Sequence, residues 1–171
     1  MSKRLLAAVV IASAIATLPA ASAQTPPPGW VRPTDAELQG PDFKARQAKP
    51  GKALAVQADF NGDGKQDSAE LLIKRGSQTF ALFAFVSGEA EPIQIVTSKL
   101  EFLERMGVEI APPGRYATAC SRGLDRTDPK CERGAKTIDT KRPSISYFMF
   151  AGLADNLYWN GSKFDQVWKD E

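Results

Sequence analysis

The sequence predicts a mainly β fold with a minor α+β component: a single compact domain of antiparallel sheet and hairpins, with one or two short helices and one disulfide. Two observations predict it. From Ala53 onward, short runs rich in Val, Ile, Phe and Tyr either alternate in polarity with a period of two or are apolar throughout, as strands buried on one or both faces require. Those runs are divided by tight-turn sequences, among them Gly76-Ser77-Gln78, Pro112-Pro113-Gly114 and Asn160-Gly161. Roughly six to nine strands stand against one or two short helices, with no internal repeat.

The first element is expected to be removed before folding. Lys3 and Arg4 form a positive start, Leu5 to Leu18 is a charge-free, largely apolar run of 14 residues, and Ala21-Ser22-Ala23 is a small-residue cleavage site before Gln24. Residues 1–23 therefore read as a signal peptide, cleaved after Ala23, since spanning a bilayer takes about 20 apolar residues. No cysteine lies near the cleavage point to take a lipid. The mature chain is expected to be periplasmic or secreted, with no membrane insertion.

Residues 24–53 form a Pro-rich N-terminal segment with six of the 12 prolines, expected to be extended and to build no sheet. Thr34-Asp35-Ala36-Glu37 has capping-box spacing, which predicts a short helix from Asp35 to about Gln39, stopped by Gly40 and Pro41. Residues 54–171 then make the single β-rich domain. Ala53 to Ala58 is the first strand candidate, and Ala69, Leu71 and Ile73 share one face of a second. Thr79 to Val86 is almost entirely apolar and fits a strand buried on both faces, reached through a hairpin at Gly76-Ser77-Gln78. Ile93 to Val96 follows, and Ser98 with Glu101 marks a helix from Lys99 to Met106, ended by Gly107. Val108 to Ala111 is a further strand, and Pro113-Gly114 suits the centre of a type II turn. Ser144 to Phe150 is a strong strand, and the chain ends in a hairpin of Leu157 to Trp159 and Phe164 to Trp168 about Asn160-Gly161.

Charge and composition exclude several classes of function. Of 22 Lys and Arg, two lie in the signal peptide, which leaves 20 against 20 Asp and Glu. A neutral mature chain gives no electrostatic case for nucleic acid. There is no histidine, which removes Ser-His-Asp and Cys-His catalysis and histidine zinc sites. The two cysteines, Cys120 and Cys131, have ten residues between them and are expected to form a disulfide in an oxidising compartment. Closing such a loop contributes about 3 kcal/mol in the chain-entropy account.

One stretch carries specific chemistry. Asp59-Phe60-Asn61-Gly62-Asp63-Gly64-Lys65-Gln66-Asp67 places side-chain oxygens at positions one, three, five and nine of a loop, with glycine at six. Calcium takes six to eight hard oxygen ligands, and a short loop wraps it only if alternate residues point inward. The expected ligands are Asp59, Asn61, Asp63 and Asp67 through side chains and Lys65 through its carbonyl. Glu70 at position twelve is a further candidate and completes the EF-hand pattern. An EF-hand would need flanking helices, whereas Pro50-Gly51 and Leu71-Leu72-Ile73 fit none.

That loop resembles the calcium loops of FG-GAP and VCBS-type sequences. With Gly107 to Gly114, Tyr116 to Cys120 and the ending Tyr158-Trp159-Asn160-Gly161-Ser162-Lys163-Phe164-Asp165-Gln166-Val167-Trp168, the chain looks like a group of small exported bacterial proteins of unknown function. The resemblance implies calcium as cofactor and no catalytic residue. The expected function is an exported calcium-binding protein of structural or ligand-binding type, with calcium as a structural clip. The alternatives are a cell-envelope hydrolase using paired carboxylates, and an inhibitor or partner-binding protein using the disulfide loop. Candidate partners are another envelope protein or a glycan, and the chain is expected to be a monomer.

Seven aromatics fall between Tyr147 and Trp168. Strand alternation assigns most of them to the core, with a stacking platform for sugars as the competing reading. Eight basic residues against four acidic ones lie between Arg115 and Arg142, a surface on which ion pairs are worth little each.

Overall fold

Why Thr79 to Phe85 lies at the middle of the molecule follows from its composition: a strand with no polar residue after its first can only be covered on both sides. A computed structural model describes residues 24–38, 54–122, 135–150 and 152–169. Five strands form the first sheet: β1 (Trp30–Val31), β2 (Ala55–Ala58), β3 (Asp67–Lys74), β4 (Thr79–Phe85) and β5 (Ile93–Lys99). The order is β1-β3-β4-β5, with β2 pairing the other stretch of the same β3 edge. Four strands make the second sheet, in which β6 (Met106–Ala111) lies beside β9 (Ser144–Met149), then β10 (Ala154–Trp159) and β11 (Phe164–Lys169). Between β6 and β9 in sequence, β7 (Gly114–Ala117) and β8 (Thr137–Thr140) pair with each other. Every pairing is antiparallel. The protein is thus mainly β, a single compact domain.

The period-two reading of β3 holds residue by residue. Ala69, Leu71 and Ile73 join Phe80, Leu82 and Ala84 of β4 in one buried cluster with Val108, Ile145, Tyr147 and Leu157 of the second sheet. The inner faces of the two sheets therefore share one core. The opposite face of β3 and β4 buries Leu72, Ala81, Phe83 and Phe85, with Trp30 packed against them. Trp30 meets Phe83 edge to face at 4.8 Å, a geometry the ring quadrupoles favour.

Several local expectations are corrected. The Pro-rich segment does contribute to the sheet: Trp30 and Val31, lying between prolines rather than at them, pair with Lys74 and Ile73, and Leu38 is buried in the main core. Helical structure is confined, among the described residues, to three 3-10 turns, Asp35–Leu38, Leu100–Arg105 and Ala119–Arg122. At the first, Glu37 reaches back to accept from the Thr34 amide at 2.7 Å, as a capping box should. At the second, Ser98 provides no cap because β5 runs through it to Lys99. Gly114 lacks the positive φ that a type II turn demands and instead opens β7 opposite Thr140. The last hairpin turns over four residues, since Trp159 pairs with Phe164, and the Asn160 side chain accepts from the Ser162 and Lys163 amides at 3.0 and 3.1 Å. Cys120 is buried, while Cys131 and hence the expected bridge lie outside the described residues. The expected signal peptide, residues 1–23, lies outside them as well.

One ion pair ties the N-terminal segment to β3. Arg32 donates through Nε to Glu70 Oε2 at 2.8 Å and through an NH2 group to Oε1 at 3.0 Å, a bidentate fork. The Glu70 side chain is mostly buried, whereas that of Arg32 is 44% exposed, so solvent screens part of the attraction. Arg32→Ala is expected to lose about 1 to 2 kcal/mol in urea unfolding, chiefly because Glu70 is left as an unpaired, desolvated charge. The double variant with Glu70→Gln should recover part of that loss. A double variant less stable than Arg32→Ala would show that the buried charge is not the cause.

Candidate metal centre

The loop from Asp59 to Gln66 joins β2 to β3, strand to strand, with no helix on either side. Two features force its shape. Phe60 is completely buried in the core and pins the second position, and Gly62 and Gly64 adopt φ of +81° and +82°, the left-handed region open to glycine. A Cβ on Gly62 would also stand 2.4 Å from Arg142 Nε, so the Arg142 side chain is seated directly on the loop.

With the backbone so wound, its amides point inward at the acidic side chains. Asp59 accepts from Gly62 at 2.6 Å and Asp63 at 3.1 Å on Oδ1, and from Gly64 at 2.9 Å on Oδ2. Asn61 Oδ1 accepts from the Asp63 amide at 3.0 Å, and Asp63 Oδ1 from the Lys65 amide at 2.8 Å. These bonds orient the side chains at positions one, three and five before any cation arrives. The Lys65 amide, then the Ser87 hydroxyl, hold the Asp63 carboxyl below its usual range.

Ser87, in the turn after β4, is the partner that sequence spacing did not reveal. Its hydroxyl lies 2.8 Å from both Asp63 Oδ2 and Asp67 Oδ1, its amide donates to Asp67 Oδ1 at 2.7 Å, and its carbonyl accepts from Asn61 Nδ2 at 2.8 Å. A hydroxyl has one proton, so it can satisfy only one of the two carboxylates at a time. The other contact sets oxygen against charged oxygen, eased by the Asn61 amide at 3.5 Å from the hydroxyl and the Lys65 ammonium at 3.9 Å from Asp63 Oδ2, and a cation close by would ease it further.

The candidates do not all share one role. Asp67 begins β3 and is 1% exposed; its Oδ2 accepts from the Phe60 and Asn61 amides at 2.8 and 3.3 Å, while Oδ1 is held by Ser87. It acts as an internal clamp between loop, strand and the turn after β4. Glu70 has both oxygens on Arg32 and lies beyond the clamp on β3. Among the described residues, no three Asp, Glu, His or Cys side chains are close enough together to hold a metal ion by themselves. The side chains turned onto the loop's amides are two carboxylates, Asp59 and Asp63, and the Asn61 amide oxygen, to which the sequence expectation adds the Lys65 carbonyl. An all-oxygen set of this kind suits a hard cation such as calcium and offers nothing to zinc or copper. The Lys65 ammonium, 3.9 Å from Asp63 Oδ2 and largely exposed, is easily displaced.

The Tyr147 hydroxyl is pushed well above the usual tyrosine range by burial and then by the charge of Asp155, so it stays protonated and offers no base at neutral pH. Of the C-terminal aromatics, Tyr147 and Phe150 are buried, and Trp159 and Phe164 are half-buried and meet edge to face at 5.3 Å. Core packing therefore accounts for most of the cluster. Compared with known proteins, the chain matches no family model, no curated protein and no solved structure.

Proposed function

We propose that the protein is an exported, calcium-stabilised β module of the binding or structural kind, in which the 59–67 loop holds calcium as a clip between β2, β3 and the turn after β4. The observation that carries this reading is the Ser87 hydroxyl, set at 2.8 Å from two carboxylates with one proton to give. A cation held by Asp59, Asn61, Asp63 and the Lys65 carbonyl would add positive charge beside it, in place of the exposed Lys65 ammonium at 3.9 Å from Asp63 Oδ2. The preset amide bonds support the same reading, because they reduce the ordering that ion binding must otherwise impose. The signal-peptide pattern supports export, where calcium is plentiful enough for an affinity of about 10⁻⁴ to 10⁻³ M to suffice.

At 10 mM calcium such an affinity stabilises the fold by about 1.4 to 2.7 kcal/mol, since the ion binds the folded chain alone. Thermal unfolding should therefore shift upward with calcium and return with EGTA, while magnesium has a smaller effect. Asp63→Ala should abolish the calcium shift. A melting temperature indifferent to EGTA, together with an unchanged calcium titration in Asp63→Ala, would overturn the proposal.

A further inference from the structure

The chain holds three asparagines, and two of them precede glycine: Asn61-Gly62 in the loop after β2, and Asn160-Gly161 in the turn between β10 and β11. An asparagine before glycine is chemically labile, because the following backbone nitrogen can attack the side-chain amide and glycine brings no Cβ into its path. The two dipeptides are identical, so a difference between them in the folded protein comes from their surroundings. Both side chains bend back in the same sense, each Oδ1 accepting from the amide two residues on at 3.0 Å.

The two sites differ at the atoms that react. Cyclisation needs the proton off the glycine nitrogen. The Gly62 amide donates to Asp59 Oδ1 at 2.6 Å, a bond that holds the proton in place and sets negative charge beside any nitrogen anion. Gly161 is exposed, and its amide makes no hydrogen bond among the described residues. The leaving group is also held differently. Asn61 Nδ2 donates to the Ser87 carbonyl at 2.8 Å, whereas the side-chain contacts of Asn160 among the described residues all fall on its oxygen. That oxygen accepts from the Ser162 and Lys163 amides at 3.0 and 3.1 Å and lies 3.3 Å from the Ser162 hydroxyl. Backbone N–H groups converging on one carbonyl oxygen stabilise an oxyanion as it forms there.

We propose that Asn160 is a site of spontaneous self-modification, an intramolecular deamidation through a succinimide, from which the fold protects Asn61. Water or hydroxide takes the Gly161 amide proton, the nitrogen bonds to Asn160 Cγ, and the Ser162 and Lys163 amides hold the charge that develops on Oδ1. The Cγ–Nδ2 bond then breaks, and ammonia leaves with a proton from solvent. Water opens the ring at either carbonyl to give aspartate or isoaspartate, with no oxidation or reduction in any step. Aspartate keeps the acceptor that closes the turn. Isoaspartate carries the main chain through the former side chain and so adds a methylene between Trp159 and Phe164, which pair across the hairpin. The modification therefore acts on the register of the outermost hairpin, and it does not depend on the calcium reading.

The test is peptide mass spectrometry of the whole protein after incubation in mildly alkaline buffer with EGTA, so that no ion takes part at Asn61. A parallel sample is unfolded in guanidinium chloride. In the folded protein the amide-to-acid mass gain at Asn160 is expected to be at least ~10-fold faster than at Asn61, because the Gly62 proton must first leave a charge-assisted hydrogen bond. In the unfolded chain both asparagines lose these partners, and their rates should become similar. Equal rates in the folded protein, faster conversion at Asn61, the same ratio in folded and unfolded samples, or no conversion at Asn160 while the unfolded chain converts would each overturn the assignment.

Discussion

Phe60→Ala is expected to destabilise the protein by about 3 to 5 kcal/mol in urea unfolding, the range found when a fully buried aromatic is removed and the space left behind collapses only in part. Phe60 is 0% exposed and packs in the main core, with its ring 6.0 Å from that of Phe164 on β11 in an edge-to-face arrangement. It is also the second residue of the loop. The apolar side chain that gives the core its volume thereby fixes where Asp59 and Asn61 sit. The truncation should accordingly weaken calcium binding as well, by loosening the loop before the ion arrives. Phe60→Leu keeps most of the volume and should lose less than about 2 kcal/mol while retaining the calcium response. A loss below about 1 kcal/mol for Phe60→Ala would mean that the loop is not anchored through the core.

How much of this could be read from the chain depends on whether a feature is local. β3 and β4 were legible because side chains alternate across a strand, so Ala69, Leu71 and Ile73 had to share a face, and the apolar run of β4 had to be covered twice. The winding of the 59–67 loop was legible because it is set within nine residues, by glycines that permit it and by oxygens at alternating positions that turn onto its own amides. Ser87 was not legible: twenty residues separate it from Asp67, and only the pairing of β3 with β4 brings the following turn back over the loop. The same limit hid the bond between Arg32 and Glu70, which spans 38 residues. Trp30 and Val31 escaped for another reason. Prolines on either side made the segment read as non-strand, yet a two-residue edge needs only two residues free to pair. Capping boxes at Thr34 and Ser98 have identical spacing and each stands just before a 3-10 turn, but only at Thr34 does the glutamate reach back; Ser98 is held in β5 and Lys99 takes the cap position without a side-chain bond, so tertiary pairing outweighs the local signal. Ser146 and Asn156 are polar, buried and paired across β9 and β10, positions a hydrophobic pattern would fill with apolar residues.

Asp67→Ala is expected to be nearly as damaging as the loss of Phe60, about 3 to 5 kcal/mol, and the loss should persist in EGTA. Four donors converge on this carboxylate: the amides of Phe60, Asn61 and Ser87 at 2.8, 3.3 and 2.7 Å, and the Ser87 hydroxyl at 2.8 Å. Hydrogen bonds to a charged group contribute about 1.5 to 3 kcal/mol each, and donors orphaned in a site closed to water add their desolvation, though such terms do not sum in full. Asp67→Asn preserves the shape but turns an NH2 group toward amides that need an acceptor, so a loss of about 2 kcal/mol is expected. Calcium separates the two kinds of aspartate. Asp63 is exposed, and on the proposed calcium reading it acts through the ion, so the effect of Asp63→Ala should shrink to within about 0.5 kcal/mol once EGTA is present, as for an ordinary surface substitution. Asp67 acts through the backbone of three segments, so its penalty should be the same with calcium and without it. If the penalty of Asp67→Ala instead vanished in EGTA, Asp67 would be a metal ligand in the manner of its position nine, and the clamp would be the wrong account of its burial.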